Sequence, residues 1–230
     1  MDIPAALAAL QRRARRAGAE PLLTHYDLDT GGRTELSVAT FANWVAKTAN
    51  LIEDAGADAG QLGVPLASTR PGHWMTLIWP LAGWQRECTV SPDAEGADLV
   101  VIGPDDPVAV LPGATFACSL HPLGLGLRDL PSGVLDFSTE ALAQPDQAGT
   151  LPSGPHAPAW IENGTVLSHA EVADVAPVAE RVLVRPGTAL GTLRGALIAP
   201  LLGGGSAVLV EGGADDARLA AIRRSERCVE

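Results

Sequence analysis

Thr165-Val-Leu-Ser-His-Ala-Glu-Val172 is the stretch on which the reading of the chain turns. Thr165 to Ser168 alternates like a short strand, and Ser168 stands where a helix would begin. Glu171, three residues on, can return a bond to the Ser168 N–H, so the four residues spell a capping box. A strand-to-helix joint is the structural content of the stretch. Before it stands Leu151-Pro-Ser-Gly-Pro-His-Ala-Pro-Ala-Trp-Ile-Glu-Asn-Gly164, which carries no Ser/Thr/Gly-rich loop and no lysine.

Toward the carboxyl end, the spacing predicts that the helix continues over 170–181 with Val172, Val175 and Ala179 inward, although Pro177 threatens its middle. Val182 to Val184 reads as a short strand. Thr188 to Leu202 is a nearly all-apolar helix, stopped by Gly203-Gly-Gly205. Ser206 to Val210 is a buried strand. Asp215 or Asp216 caps a helix that ends among Arg223, Arg224 and Arg227, and Cys228-Val229 opens a further strand.

Toward the amino end, residues 145–164 are rich in Pro and Gly and poor in large apolar side chains, so they read as a mobile or boundary segment. The organisation expected is therefore a unit over 1–144, a loop over 145–164 and a second unit over 165–230. Within the first unit, 4–17 is an amphipathic helix with Asp2 as cap and its arginines near the carboxyl end. Leu22–Tyr26 and Arg33–Leu36 flank the turn-rich Asp27-to-Gly32 and form a hairpin. Ser37 caps a helix whose stripe is Phe41, Trp44, Val45, Thr48, Leu51 and Ile52. Leu62 to Ser68 is a buried strand. Pro71 opens a helix carrying Trp74, Leu77, Ile78, Leu81 and Trp84, which Pro80 should kink or split. Strands follow at 88–91, 98–102 and 115–120. Strands alternating with helices give the fold class: α/β, a mostly parallel sheet packed by helices.

Composition removes several function classes. With 27 acidic against 16 basic residues the net charge is −11, which excludes nucleic acid as a general partner. Arg12, Arg13, Arg15 and Arg16 read as a solvated helix face. Three widely spaced cysteines, Cys88, Cys118 and Cys228, suit reduced thiols in the cytoplasm. No long apolar run offers a membrane span, and basic residues follow rather than precede the first apolar ones, unlike a signal peptide.

Each chemistry-bearing pattern in the sequence is incomplete. Gly124-Leu-Gly-Leu-Arg-Asp129 starts like a dinucleotide fingerprint but ends in Asp. Asp129, Asp136 and Glu140 are isolated acids in a loop region, with no two placed on one face. Gly203-Gly-Gly-Ser206 runs from helix to strand, the reverse of a nucleophile elbow. Ser168 and His169 are neighbours that do not face each other. His25, His73, His121, His156 and His169 form no pair at ligand spacing. The sequence therefore nominates no catalytic, cofactor-binding or metal-ligating residue and no cofactor.

Several of these pieces together resemble the adenylate-forming enzymes, the acyl-CoA synthetase, luciferase and peptide-synthetase adenylation group. They are Leu23-Thr24 with Glu35-Leu-Ser37, the Phe41-to-Leu51 helix with Ala49-Asn50-Leu51, the Gly63-to-Ser68 segment, and His73-Trp74 leading to Ala82-Gly83-Trp84. Val166-x-Leu-Ser-His169 and Pro200-to-Val210 followed by Asp216-to-Arg227 complete the set. Glu87 to Pro92 departs from the family, which usually closes this unit with a small residue and Val-Pro. The resemblance implies the fold of that family's amino-terminal subdomains, truncated. It also implies a phosphate loop ending in Pro-Lys-Gly just before Val166, and that loop is missing. Lys47, the only lysine, lies on the polar side of its helix. The family's adenine-holding aromatic, ribose-binding Asp and adenylation lysine belong to sequence beyond residue 230.

Transfer of an adenylyl group needs cations and amide donors on the phosphates. The expectation is therefore a non-catalytic homologue, a pseudoenzyme with a binding or assembly role. The alternative is an adenylating ligase that uses unorthodox residues or a second chain; a small hydrolase has no triad to support it. Self-association, pairing with a full-length relative, and a small acyl or nucleotide-like ligand are the partners expected.

Overall fold

The computed structural model describes residues 3–107, 113–151 and 153–229. Two sheets and nine α-helices are assigned among them. Chain order is α1 (Ala5–Ala17), β1 (Pro21–Asp27), β2 (Gly32–Ser37), α2 (Val38–Asp54), β3 (Gln61–Gly63), α3 (Leu66–Thr69) and α4 (Trp74–Gln85). Then come β4 (Thr89–Ser91), β5 (Leu99–Ile102), β6 (Ala114–Ala117), β7 (Val134–Asp136) and α5 (Phe137–Ala143). β8 (Pro158–Glu162), β9 (Thr165–Ser168), α6 (His169–Val172), β10 (Arg181–Val184), α7 (Ala189–Leu193), α8 (Ala199–Gly203), β11 (Ser206–Glu211) and α9 (Asp216–Ser225) complete it.

One sheet has the order β10-β11-β1-β2 and the other β7-β6-β5-β3-β4-β8-β9. In each, one hairpin strand is antiparallel, β2 in the first and β9 in the second, and the other pairs are parallel. The α/β, mostly parallel class is the one that the alternation of patterns predicts. Each sheet joins early and late strands of the chain: β1 and β2 join β10 and β11, while β8, within 145–164, and β9 join β3 to β7.

The main apolar core of the described residues lies between the sheets. Leu22, Leu23, Leu36, Ala207 and Leu209 face it from the first, and Leu62, Val90, Leu99, Val101 and Phe116 from the second, with α1, α2 and α4 among them. All twelve residues of α4 are buried, and α2 packs along it. The outer face of the first sheet is covered by α9 through Val208, Val210 and Ile222.

The caps follow the sequence closely. Ser37 accepts from the Thr40 N–H, Asp215 from the Arg218 N–H, and Gly204 ends α8 with a left-handed φ of 90°. Asp2, read as the cap of α1, lies outside the described residues; Pro4 occupies the cap position.

Five local readings are corrected. The strand expected over Leu62 to Ser68 stops at Gly63, because Pro65 is helical (φ −48°, ψ −35°) and turns the chain into α3. Pro80 does not split α4, which runs through it enclosed by packing on all sides. The helix expected over 170–181 ends at Val172. Beyond it the Val178 N–H bonds the Ala199 carbonyl, and the Val178 and Glu180 carbonyls accept from Gly205 and Ser206, so 178–180 is clamped on the next helix and strand. The helix over 188–202 contains a π turn at Arg194–Ile198, where the Ala199 N–H reaches back to the Arg194 carbonyl just ahead of Pro200. Cys228 and Val229 form no strand; their N–H groups bond the Arg223 and Arg181 carbonyls.

Candidate functional site

Two places could carry function, and the first is where the opening stretch lies. β8 and β9 pair with Glu162 opposite Thr165, so Asn163 and Gly164 alone make the turn. Both have positive φ, 52° and 74°, the backbone of a type I′ hairpin and the reason Asn-Gly stands there. Residues 158–162, expected as loop, are thus a strand. Ser168 accepts from the Glu171 N–H while the Glu171 carboxylate accepts from the Ser168 N–H at 2.8 Å, closing the capping box that the sequence predicts. His169 is 4% exposed and meets the Trp84 ring edge-on at 5.4 Å. Burial alone pushes its pKa down to about 4, so it is neutral and structural.

Lys47 is far from that turn in its contacts. Its Nζ pairs with Asp146 at 2.8 Å and donates to the Gln144 carbonyl, while Asn50 holds the Pro145 and Gln147 carbonyls at 3.1 Å. The polar side of α2 thereby anchors the start of the linking segment. Asp136 caps α5 by accepting from Thr139 and also takes the Leu127 N–H, both at 2.7 Å. A side chain at Gly203 or Gly205 would run into the 178–180 backbone, so these two serve packing, and Gly204 between them is the left-handed helix stop. Among the described residues no group of three His, Cys, Asp or Glu is placed to hold a metal ion.

The second place has no contiguous motif in the sequence. A cleft of about 520 Å³ opens where β1 and β11 of one sheet and β5 and β6 of the other end. Open α/β sheets bind ligands beyond the carboxyl ends of their parallel strands, and here two sheets present those ends to one space. Asp27, Arg70, His73, Asp105, His121 and Glu211 line it.

Its floor is a chain of buried polar contacts. His25 Nε2 and the Glu211 carboxylate are 2.9 Å apart, and the other Glu211 oxygen accepts from the Gly72 N–H at 3.0 Å, tying β11 to the entry of α4. The His25 and His73 rings stand edge to face at 4.8 Å. His73 Nδ1 accepts from the Met75 N–H at 3.2 Å and so caps α4. Burial first, then His25, hold the His73 pKa well below the usual imidazole range. Arg70 bonds Asp105 at 3.2 Å, and that hydrogen bond raises its pKa. Gly72 permits the approach of the two sheets: a Cβ there would lie 2.4 Å from Pro186. Residues 25, 73 and 211 are too far apart in sequence to show a spacing; the local signals are that Glu211 ends a strand and His73 opens a helix.

No family model matches the chain. A curated Mycobacterium tuberculosis protein, whose name is a numbered family designation, is 35% identical over 137 residues, 55% of this chain and 55% of that protein. An acyl-CoA synthetase of Brucella canis has a similar structure, with a TM-score of 0.74 and 20% identity over 99% of this chain and 46% of its own. The chain therefore has the fold of part of an acyl-CoA synthetase, and it spans about half the length of these relatives.

Proposed function

We propose that the chain is a non-catalytic homologue of the adenylate-forming enzymes with a binding or assembly role. The observation that carries this reading is the two-residue Asn163-Gly164 turn, at the position where the resemblance implies a phosphate loop. A type I′ turn turns back at once, so few backbone N–H groups are free to cradle a triphosphate, and the only lysine is engaged by Asp146. Electrostatic stabilisation of the transferring phosphate has no source in this hairpin.

Among the described residues no helix is long and apolar enough to cross a membrane. The three cysteines are free, as a reducing compartment would keep them, which supports a cytoplasmic location. The seam cleft has the volume for a small acyl or nucleotide-like ligand.

A second reading is a ligase that works with another chain. Incubation with ATP, Mg²⁺ and a panel of carboxylic acids separates the two. We expect no pyrophosphate above a protein-free blank; release that depends on the acid refutes the non-catalytic reading. Repeating the assay with a full-length relative present tests the second, in which release would appear only with both chains. A light-scattering mass of more than one chain is expected if the edge strand β10 pairs with a copy beyond Arg181, whose carbonyl the Val229 N–H already takes.

A further inference from the structure

His73 does three jobs at one ring. It caps α4, it packs against His25 across the seam, and it lines the cleft. Because Nδ1 accepts the Met75 N–H, that nitrogen must be unprotonated, and the remaining ring N–H is left for the Leu120 backbone that faces it. The groups around the ring are His25 on β1, Glu211 on β11 beyond His25, Arg70 in the preceding turn and His121 in the loop after β6.

We propose that His73 is an acid-labile cap: protonation of Nδ1 turns the acceptor that holds the Met75 N–H into a donor, and the start of α4 then releases the contacts that close the seam cleft. Three effects act together once the ring is charged. The cap bond becomes two donors facing each other. A cation sits at the positive end of the twelve-residue α4. Arg70 and His25 oppose it, while Glu211 is already engaged by His25 and Gly72. Burial excludes water from relieving any of them, since His73 is 4% exposed. The segment with most to lose is 70–73, which joins β11 through Gly72 and Glu211. The loop at 119–122 follows, because Leu120 meets the ring and the Pro122 carbonyl accepts from Thr34 at 2.8 Å.

Hydrogen exchange read by mass spectrometry on the full chain tests this. After correction for intrinsic rates, peptides covering 70–76 and 119–124 should open at least about tenfold more at about pH 5 than at about pH 7, since one titrating group changes an opening equilibrium up to tenfold per pH unit. Peptides in α2 should not change. H73N keeps a good cap acceptor without the titratable ring, and in it the acid response should vanish. Should that variant fail to fold, H25Q provides the second arm. Its amide can still reach Glu211, and removing the neighbouring imidazole moves the midpoint of opening to higher pH. Acid-independent exchange in the wild type, an unchanged response in H73N, or an unmoved midpoint in H25Q overturns the proposal.

Discussion

Gly72 is the narrowest point of the molecule's seam. An added Cβ would stand 2.4 Å from the Pro186 ring and 3.0 Å from a Glu211 oxygen; the first is a rigid ring and the second belongs to a carboxylate held by His25 and the Gly72 N–H. Gly72→Ala should therefore cost about 1–3 kcal/mol, the range for overpacking a well-filled site. A urea midpoint lowered with an unchanged slope would show it; an unaltered midpoint would mean that Pro186 gives way freely. His169 supports a prediction of a different kind. Its folded pKa, about 4, lies below the ordinary imidazole value of 6.5, so the unfolded chain binds the proton more readily. Its contribution to stability is complete above pH 6.5 and is lost as pH falls toward 4, at up to about 1.4 kcal/mol per pH unit. H169Q should flatten that part of the stability profile, measured by urea unfolding at each pH. An identical profile in the variant would assign the acid loss elsewhere.

At the level of elements, what was legible depended on whether the signal was local. The capping box at Ser168, the cap at Ser37 and the Gly204 stop are made within four residues, and each forms as spelled. Proline was harder to place. Pro65 ended a strand early, Pro80 did not end a helix, and Pro200 was accommodated by a π turn. What decides between those outcomes is the packing around each ring, which a one-dimensional pattern does not contain. The same limit hid the seam. His25, His73 and Glu211 meet only because β1 lies parallel beside β11 and α4 begins opposite them, which gives His25 and Glu211 a side-chain contact across 186 residues. The Asn163-Gly164 turn sat between the two. Its Pro- and Gly-rich surroundings read as loop, and recognising the end of the linking segment as a strand required the β4–β8 pairing.

At the level of the whole molecule, the order of strands couples the chain ends. β1 is hydrogen-bonded to β11 from Leu23 opposite Ala207 to Asp27 opposite Glu211, and β8, at the end of the linking segment, and β9 after it close the other sheet. Arg13 in α1 donates to the Pro200 and Gly205 carbonyls at 3.1 and 2.9 Å, so the first helix is fastened to the end of α8. Cutting the chain near residue 150 would strip β1 of its parallel neighbour and leave Leu22, Leu23, Ala207 and Leu209 facing water on separate pieces. Burial of that shared core is the main driving force for both sheets. Unfolding of the full chain should accordingly be one transition, with tryptophan fluorescence and far-ultraviolet circular dichroism superimposing in urea. Five tryptophans, four of them fully buried between the sheets, make the fluorescence sensitive to the core, while dichroism follows helices and strands throughout. Two separated transitions would instead assign the segments before and after 145–164 their own stabilities, and would require the β1–β11 pairing to contribute little to either.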